Sequence, residues 1–169
     1  MVLSVRGSRF GTGYASGVRV RVDRFEDLVT WQLADQLRRG VIAFTDRGPA
    51  ALDFRYRSQI RDAAASACRN TSEGFERFRP SEFARFLEFA RGSLGEVQDG
   101  LIDAHQRQFI TGELFDRLWL LSKRAIGANT NLMKYLQHCV DTVDAPWRSS
   151  RKRDPGTENP PGNPEPAEP

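Results

Sequence analysis

The stretch from residue 59 to residue 95 constrains the fold of this chain more than any other feature. It reads QIRDAAASACRNTSEGFERFRPSEFARFLEFARGSLG, in which a turn containing Gly74 and Pro80 separates two helical patterns. In the first pattern, Ile60, Ala64 and other small residues recur every three or four positions and form one face. Small side chains let a neighbouring helix approach closely, so this stretch predicts two packed helices joined by a short link.

The same kind of periodicity extends over the whole middle of the chain. We predict four helices, with these bounds: about Glu26 to Thr45, Leu52 to Gly74, Ser81 to Gln108, and from a cap at Thr111 or Gly112 to Cys139. Gly48 and Pro49 end the first helix in this interpretation, and no segment alternates with period two for long enough to form a sheet. Because the links are short, successive helices should be antiparallel neighbours. The predicted fold is therefore all-α, an antiparallel up-down-up-down four-helix bundle.

Composition divides the chain into three parts. Residues 1–22 contain four arginines and no acid, and residues 141–169 contain seven of the nine prolines. Neither part has enough apolar side chain to offset the entropy lost on ordering, so we expect a disordered N-terminal extension and a disordered Pro-rich tail. The N-terminal composition also resembles an organellar transit peptide or an overextended gene start. Residues 23–140 remain as the predicted bundle.

Charge and cysteine content give weaker indications. The net charge of +3 divides into +4 for residues 1–22, +1 for residues 23–140 and −2 for residues 141–169. Cys68 and Cys139 are far apart and neither belongs to a CxxC pair, which favours free thiols in a reducing compartment. No apolar run has the length of a membrane span, and no signal peptide is apparent. These features predict a cytoplasmic protein that does not enter a membrane.

The fourth predicted helix has two apolar seams. The first contains leucines and alanines spaced by three or four residues, from Leu114 to Leu136. The second, about 120° away around the helix axis, consists of Phe115, Trp119, Ile126 and Met133. One bundle core needs an apolar stripe only slightly wider than 100°. The second seam is therefore either part of an unusually wide core face or an interface between subunits, and we predict the interface.

A polar stripe lies beside the core face of the second predicted helix. Gln59, Ser66, Asn70 and Glu73 project within about 60° of one another at helical spacing. They either hydrogen-bond the helix end and the following turn or form a stripe that binds a ligand or partner. We favour the structural role, because the turn between Gly74 and Pro80 contains backbone groups that need partners.

The sequence contains no pattern that indicates catalysis, a metal site or a cofactor. A di-iron site in a bundle needs Glu-x-x-His pairs, and neither His105 nor His138 has a glutamate three residues before it. Phosphate-binding loops, G-x-S-x-G elbows and zinc-ligand spacings are missing from the sequence. We therefore expect a non-enzyme without a small-molecule substrate.

Three segments together resemble a known family: FEDLVTWQLA, the run QIRDAAASACRNTSEGFER, and EFARFLEFARGSLGEV. They are similar to the bacterial four helix bundle protein family, also called the 23S rRNA-intervening sequence protein, whose reading frames lie in insertions within that RNA. The resemblance covers about Arg24 to Cys139. It departs from the family pattern at Ala67 and Cys68, where the family usually has Ile and Pro, so a local helix kink is not expected here.

The resemblance implies an antiparallel four-helix bundle that assembles as a homopentamer. It also implies a distant likeness to the accessory protein of diversity-generating retroelements, a basic barrel that works with a reverse transcriptase and nucleic acid. On that basis we expect association with RNA or DNA. The phosphate-facing residues would be four arginines of the second helix, Arg55, Arg57, Arg61 and Arg69. The alternative is an oligomeric scaffold that binds only protein, because the middle of the chain is nearly neutral.

Overall fold

The structure is a computed structural model that describes residues 2–4, 19–77 and 79–141. A 3₁₀ turn at Phe25–Asp27 precedes the helices in this part of the chain. The α-helices are α1 (Val29–Thr45), α2 (Gly48–Leu52), α3 (Phe54–Phe75), α4 (Pro80–Gln106) and α5 (Gly112–Asp141). The prediction of a helical fold is confirmed. None of the helices in these residues is long and apolar enough to cross a membrane.

The N-terminal extension contains two short strands, β1 (Val2–Ser4) and β2 (Arg19–Arg21). They pair antiparallel, with Val2 opposite Arg21 and Leu3 opposite Val20. The sequence predicted disorder for residues 1–22, whereas these six residues form a ladder. Valine and leucine have side chains that suit an extended backbone, which gives the pair a local basis. The remaining residues up to 18 and the Pro-rich tail after residue 141 lie outside the described residues.

The helix ends agree with the capping chemistry of the sequence in most places. The Asp53 side chain accepts a hydrogen bond from the Tyr56 backbone N–H at 3.0 Å and caps α3. Pro80 is the first residue of α4, where its missing N–H costs nothing. The Thr111 hydroxyl accepts from the Leu114 N–H at 3.3 Å, so Thr111 rather than Gly112 caps α5.

Two helix boundaries differ from the prediction. The first helix begins at Val29 instead of Glu26, because Leu28 is extended and buried between the 3₁₀ turn and α1. Gly48 and Pro49 do follow the end of α1, but they also open the short helix α2. Gly48 has a positive φ of 64°, which a glycine adopts without steric cost.

The four long helices contact one another in a closed order. Helix α3 packs against α1 and α4, and α5 packs against the same two helices. Tyr56, near the start of α3, donates its hydroxyl hydrogen to the Gly100 carbonyl near the end of α4, at 2.8 Å. At the other end of α3, Gly74 lies against Phe83 near the start of α4. Helices α3 and α4 therefore run in opposite directions.

The core consists of two adjoining apolar clusters. The larger one joins α1 and α3 to the second half of α4 and the first half of α5, while the smaller one surrounds Phe83 and Met133 at the opposite end. The buried face of α5 consists of Leu118, Ser122, Ala125, Asn129, Met133 and Leu136. This face takes Leu118, Ala125 and Leu136 from the first predicted seam and Met133 from the second, with Ser122 and Asn129 between them.

Candidate functional site

The polar stripe of α3 is partly a structural bridge to α4. The hydroxyl groups of Ser66 and Ser93 hydrogen-bond each other across the two helices at 2.9 Å. The Asn70 amide donates to the Ser66 carbonyl at 3.0 Å and to the Ser66 hydroxyl at 3.1 Å. The Ser93 partner on α4 could not be recognised from the stripe itself. Ser66 therefore connects α3 to α4, and Asn70 holds Ser66 from within α3.

The two ends of the stripe have other surroundings. Glu73 is partly exposed and accepts a hydrogen bond from Arg77, in the link that follows α3, at 2.5 Å. Gln59 is exposed and lines a groove between α3 and α4. The four residues predicted as one stripe are thus in three different environments.

The groove between α3 and α4 is acidic. It has a volume of about 750 Å³, and Ser66, Ser93 and Gly100 are among the residues that line it. Its charged lining residues are Asp62, Glu96, Asp99 and Asp103, and no lysine or arginine lines it. Burial raises the pKa of the Tyr56 hydroxyl at one end of the groove, and the nearby Asp103 raises it further. Arg69 pairs with Asp62 and Arg107 pairs with Asp103, both at 3.2 Å, whereas Glu96 and Asp99 form no ion pair with a described residue. The lining therefore keeps a negative charge that repels phosphate groups, so this groove is unsuited to a nucleic-acid backbone.

The four arginines predicted to face phosphate are mostly engaged within the protein. Arg61 donates to the Thr45 hydroxyl at 2.7 Å and to the Asp46 carboxylate at 2.6 Å. Arg57 donates to a backbone carbonyl at 3.1 Å and lies over a phenylalanine ring. Arg69 has a longer bond, 3.2 Å, to an exposed aspartate, while the Arg55 side chain forms no hydrogen bond or ion pair with a described residue. The structure does not bring these arginines together as one free cationic surface.

The outer face of α5 is basic beyond Asp116, although Glu113 and Asp116 lie on the same side of the helix. The chain contains no Asp or Glu from residue 117 to residue 140, but it has four cations there. At 100° per residue they lie within a sector of about 120° on the side away from the core: Arg117, Lys123, Arg124 and Lys134. All four are exposed, and none forms an ion pair with another described residue. The sequence already shows this run without acidic residues, but the prediction for this helix was based on its two apolar seams.

The residues predicted as a subunit interface are only partly available on the surface. Met133 is 8% exposed and belongs to the smaller core cluster of its own chain, so its assignment to an interface needs correction. Phe115 and Ile126 are partly buried against the larger cluster. Phe115 stacks between His105, at 4.7 Å, and Trp119, at 5.5 Å between ring centroids. These half-buried rings flank the basic face of α5.

Two buried polar side chains close to the core stand out. Asn129 is 0% exposed and neither atom of its amide has a hydrogen-bond partner among the described residues. Asp35 is buried, which raises its pKa, but hydrogen bonds and charges from Arg38 and Arg39 outweigh burial and hold the pKa of Asp35 below its ordinary value. In the described residues, no group of three or more His, Cys, Asp or Glu side chains could hold a metal ion.

Comparison with known protein families gives one match. The family model described as "23S rRNA-intervening sequence protein" matches residues 26–127, which is more than half of the chain. A comparison with curated proteins returns no match. The matched range begins in the 3₁₀ turn before α1 and ends within α5, so it includes α1, α3, α4 and about half of α5. The chain therefore belongs to the 23S rRNA-intervening sequence protein family.

Proposed function

We propose that this protein is a non-enzymatic, homo-oligomeric four-helix bundle that associates with nucleic acid through the outer face of α5. The observation that carries this proposal is the basic face formed by Arg117, Lys123, Arg124 and Lys134, in a stretch of α5 without acidic residues. The family description, which names a ribosomal RNA, supports RNA as the partner. The proposal places the protein in the cytoplasm with that RNA.

The free state of these cations is what suits them to phosphate. A cation already bound to a carboxylate, such as Arg61 to Asp46, must break that pair before it contacts a phosphate. The four cations of α5 form no such pair with another described residue, and each phosphate contact releases condensed counterions from the nucleic acid. The acidic groove lies between α3 and α4, whereas the basic face lies on α5. Because the acidic and basic surfaces are separate, the protein would bind the nucleic acid with the basic face of α5 toward it.

The bundle and its assembly belong to the same proposal. The closed order of helix contacts, together with the antiparallel α3–α4 pair, supports an up-down-up-down bundle. Phe115 and Trp119 are only half-buried and leave apolar surface at the edge of the basic face. Such surface supports self-association. A ring of five subunits, the assembly that the family resemblance implies, would repeat the modest basic face five times.

Binding of labelled RNA and DNA at increasing salt concentration tests the proposal. We would measure fluorescence anisotropy with single-stranded RNA and with duplex DNA from about 50 to about 200 mM salt, where lost phosphate contacts weaken binding most visibly. The test variant is Lys123→Gln with Arg124→Gln. The matched control is Arg79→Gln with Arg91→Gln, which removes the same charge from exposed positions at α4.

The expected result is a smaller salt dependence for the α5 variant alone. For single-stranded RNA, the loss of two phosphate contacts should reduce the slope of log K against log salt by about 1.4, and the control should leave the slope nearly unchanged. Equal effects of both variants would reject α5 as the binding face. Failure of the unmodified protein to bind either nucleic acid at the lowest salt would favour the protein-only scaffold instead.

A further inference from the structure

A small pocket lies between α1 and α3, away from the acidic groove. Its volume is about 260 Å³. Its lining includes Phe25, Trp31, Arg38, Cys68, Arg69 and Ser72. Phe25 and Trp31 meet edge to face, with ring centroids 5.2 Å apart. Burial raises the pKa of the Cys68 thiol to about 11, so Cys68 presents a neutral, apolar surface. The pocket thus combines an aromatic wall with cations at its border.

The indole of Trp31 has a donor without an acceptor. Its Nε1–H is buried, and no hydrogen-bond partner for it exists among the described residues. A buried N–H that has lost water and gained no partner destabilises the fold, and such groups are rare in native proteins. Trp31 is among the residues that line the pocket. Because the Nε1 atom is inaccessible to solvent, Trp31 offers the open pocket its ring and not its N–H.

The charged groups around the pocket provide more hydrogen-bond donors than carboxylate acceptors. Arg38 and Arg39 share the Asp35 carboxylate, at 2.5 and 2.7 Å, so one carboxylate faces two guanidinium groups. Arg69 binds Asp62 at 3.2 Å in a pair whose side chains are both mostly exposed. Exposed pairs of this kind contribute little free energy and exchange partners readily. Arg69 can therefore turn to an incoming anion at small cost, with the Ser72 hydroxyl nearby as a further donor.

We propose that this pocket takes one unpaired nucleotide of a single-stranded nucleic acid. The base packs against Trp31 and Phe25, while Arg69 and Arg38 contact the adjoining phosphate. Aromatic side chains and guanidinium groups are the usual platforms for unstacked bases. A volume of about 260 Å³ admits a single base but not a duplex. This inference deepens the proposed nucleic-acid association and rests on it.

The location of the pocket fits one continuous binding path. Helix α1 packs against both α3 and α5, so it lies between the pocket and α5, whose basic face is on the side away from the core. A single strand held by phosphate contacts along α5 could cross α1 and place one base in the pocket. The basic face would then give affinity for any nucleic acid, and the pocket would give a preference for single strands.

Tryptophan fluorescence provides the first test. In a Trp119→Phe, Trp147→Phe background, Trp31 is the remaining tryptophan and its emission reports on the pocket. A single-stranded RNA of about eight nucleotides should quench this emission in a saturable manner, whereas an RNA duplex that binds the protein should leave it unchanged. An RNA carrying 5-bromouracil, irradiated with the unmodified protein, provides a second readout that needs no substitution. Its crosslinks, mapped by mass spectrometry, should fall on Trp31 or Phe25.

A matched pair of arginine variants provides the second test. Arg69→Gln should weaken binding of the single strand by about five-fold or more and leave duplex binding nearly unchanged. Arg55→Gln, on the same helix but away from the pocket lining, should leave single-strand binding within about two-fold. Single-stranded RNA that binds without quenching Trp31 or crosslinking to the pocket would overturn this inference alone. The absence of any RNA binding would overturn the proposed function together with it.

Discussion

Two glycines in neighbouring helices should respond in opposite directions to the same substitution. Gly74 is next to the last residue of α3, and a Cβ atom there would lie 2.6 Å from the Phe83 ring and 2.8 Å from the Phe86 Cβ. Phe83 is 1% exposed and meets Phe75 edge to face at 6.3 Å, so its ring has no free space to move into. A Cβ on Gly92, in the middle of α4, would meet nothing within 4 Å.

The magnitudes follow from packing and helix propensity. Replacement of a glycine by alanine within a helix stabilises it by up to about 1 kcal/mol, and Gly92→Ala should gain most of this. Gly74→Ala gains less, because it lies near the helix end, and overpacking against Phe83 should cost about 1 to 3 kcal/mol. We therefore expect a net loss of about 1 to 2 kcal/mol for Gly74→Ala. The two variants should then differ by about 2 to 3 kcal/mol in free energy of unfolding.

Urea denaturation followed by circular dichroism measures both variants. The transition midpoint should move down for Gly74→Ala and up for Gly92→Ala, with an unchanged slope in each case. If overpacking is the cause, Phe83→Leu in the Gly74→Ala background should cost less than Phe83→Leu in the unmodified protein, a coupling that a double-mutant cycle detects. A stabilised Gly74→Ala variant, or a cycle without coupling, would refute the packing argument.

Four further predictions concern three single side chains and the assembly. Asn129→Leu should raise the free energy of unfolding by about 1 to 2 kcal/mol, because it removes a buried amide without partners; an unchanged or lower value in urea denaturation would indicate a partner or overpacking. Asp35→Asn should cost about 1 kcal/mol near neutral pH. The fold lowers the pKa of Asp35, so the ionised carboxylate stabilises the protein above the unfolded pKa of about 3.9. This stabilisation is lost as pH falls through the folded pKa. The difference in free energy of unfolding between Asp35→Asn and the unmodified protein should therefore shrink in acid. In a Cys139→Ser background, Cys68 should react with a thiol reagent only after unfolding, because it is buried with a pKa of about 11. Light scattering should give a mass about five times the 19.1 kDa of one chain. Trp119→Glu should reduce that mass while helical content is retained. A monomeric unmodified protein would contradict the assembly.

The sequence determined the helices and most of their ends. Apolar spacing, the Asp53 and Thr111 caps and Pro80 at the first position of α4 are local signals, because each depends on residues within one or two turns. The family could likewise be recognised from linear motifs. Local signals did not predict the start of α1 correctly. Leu28 packs in the core, and α1 begins only after this residue.

The tertiary structure decided which surfaces are available to a partner. Periodicity gives the angle of each residue around its own helix, but not the side from which neighbouring helices approach. For this reason the core face of α5 is centred on Ser122 and Asn129, two polar residues that no apolar pattern includes. The Arg61–Asp46 pair joins residues from different elements and removes an arginine that the sequence left free. The acidic groove and the Trp31 pocket arise in the same way, since each combines side chains from two helices whose relative positions only packing sets.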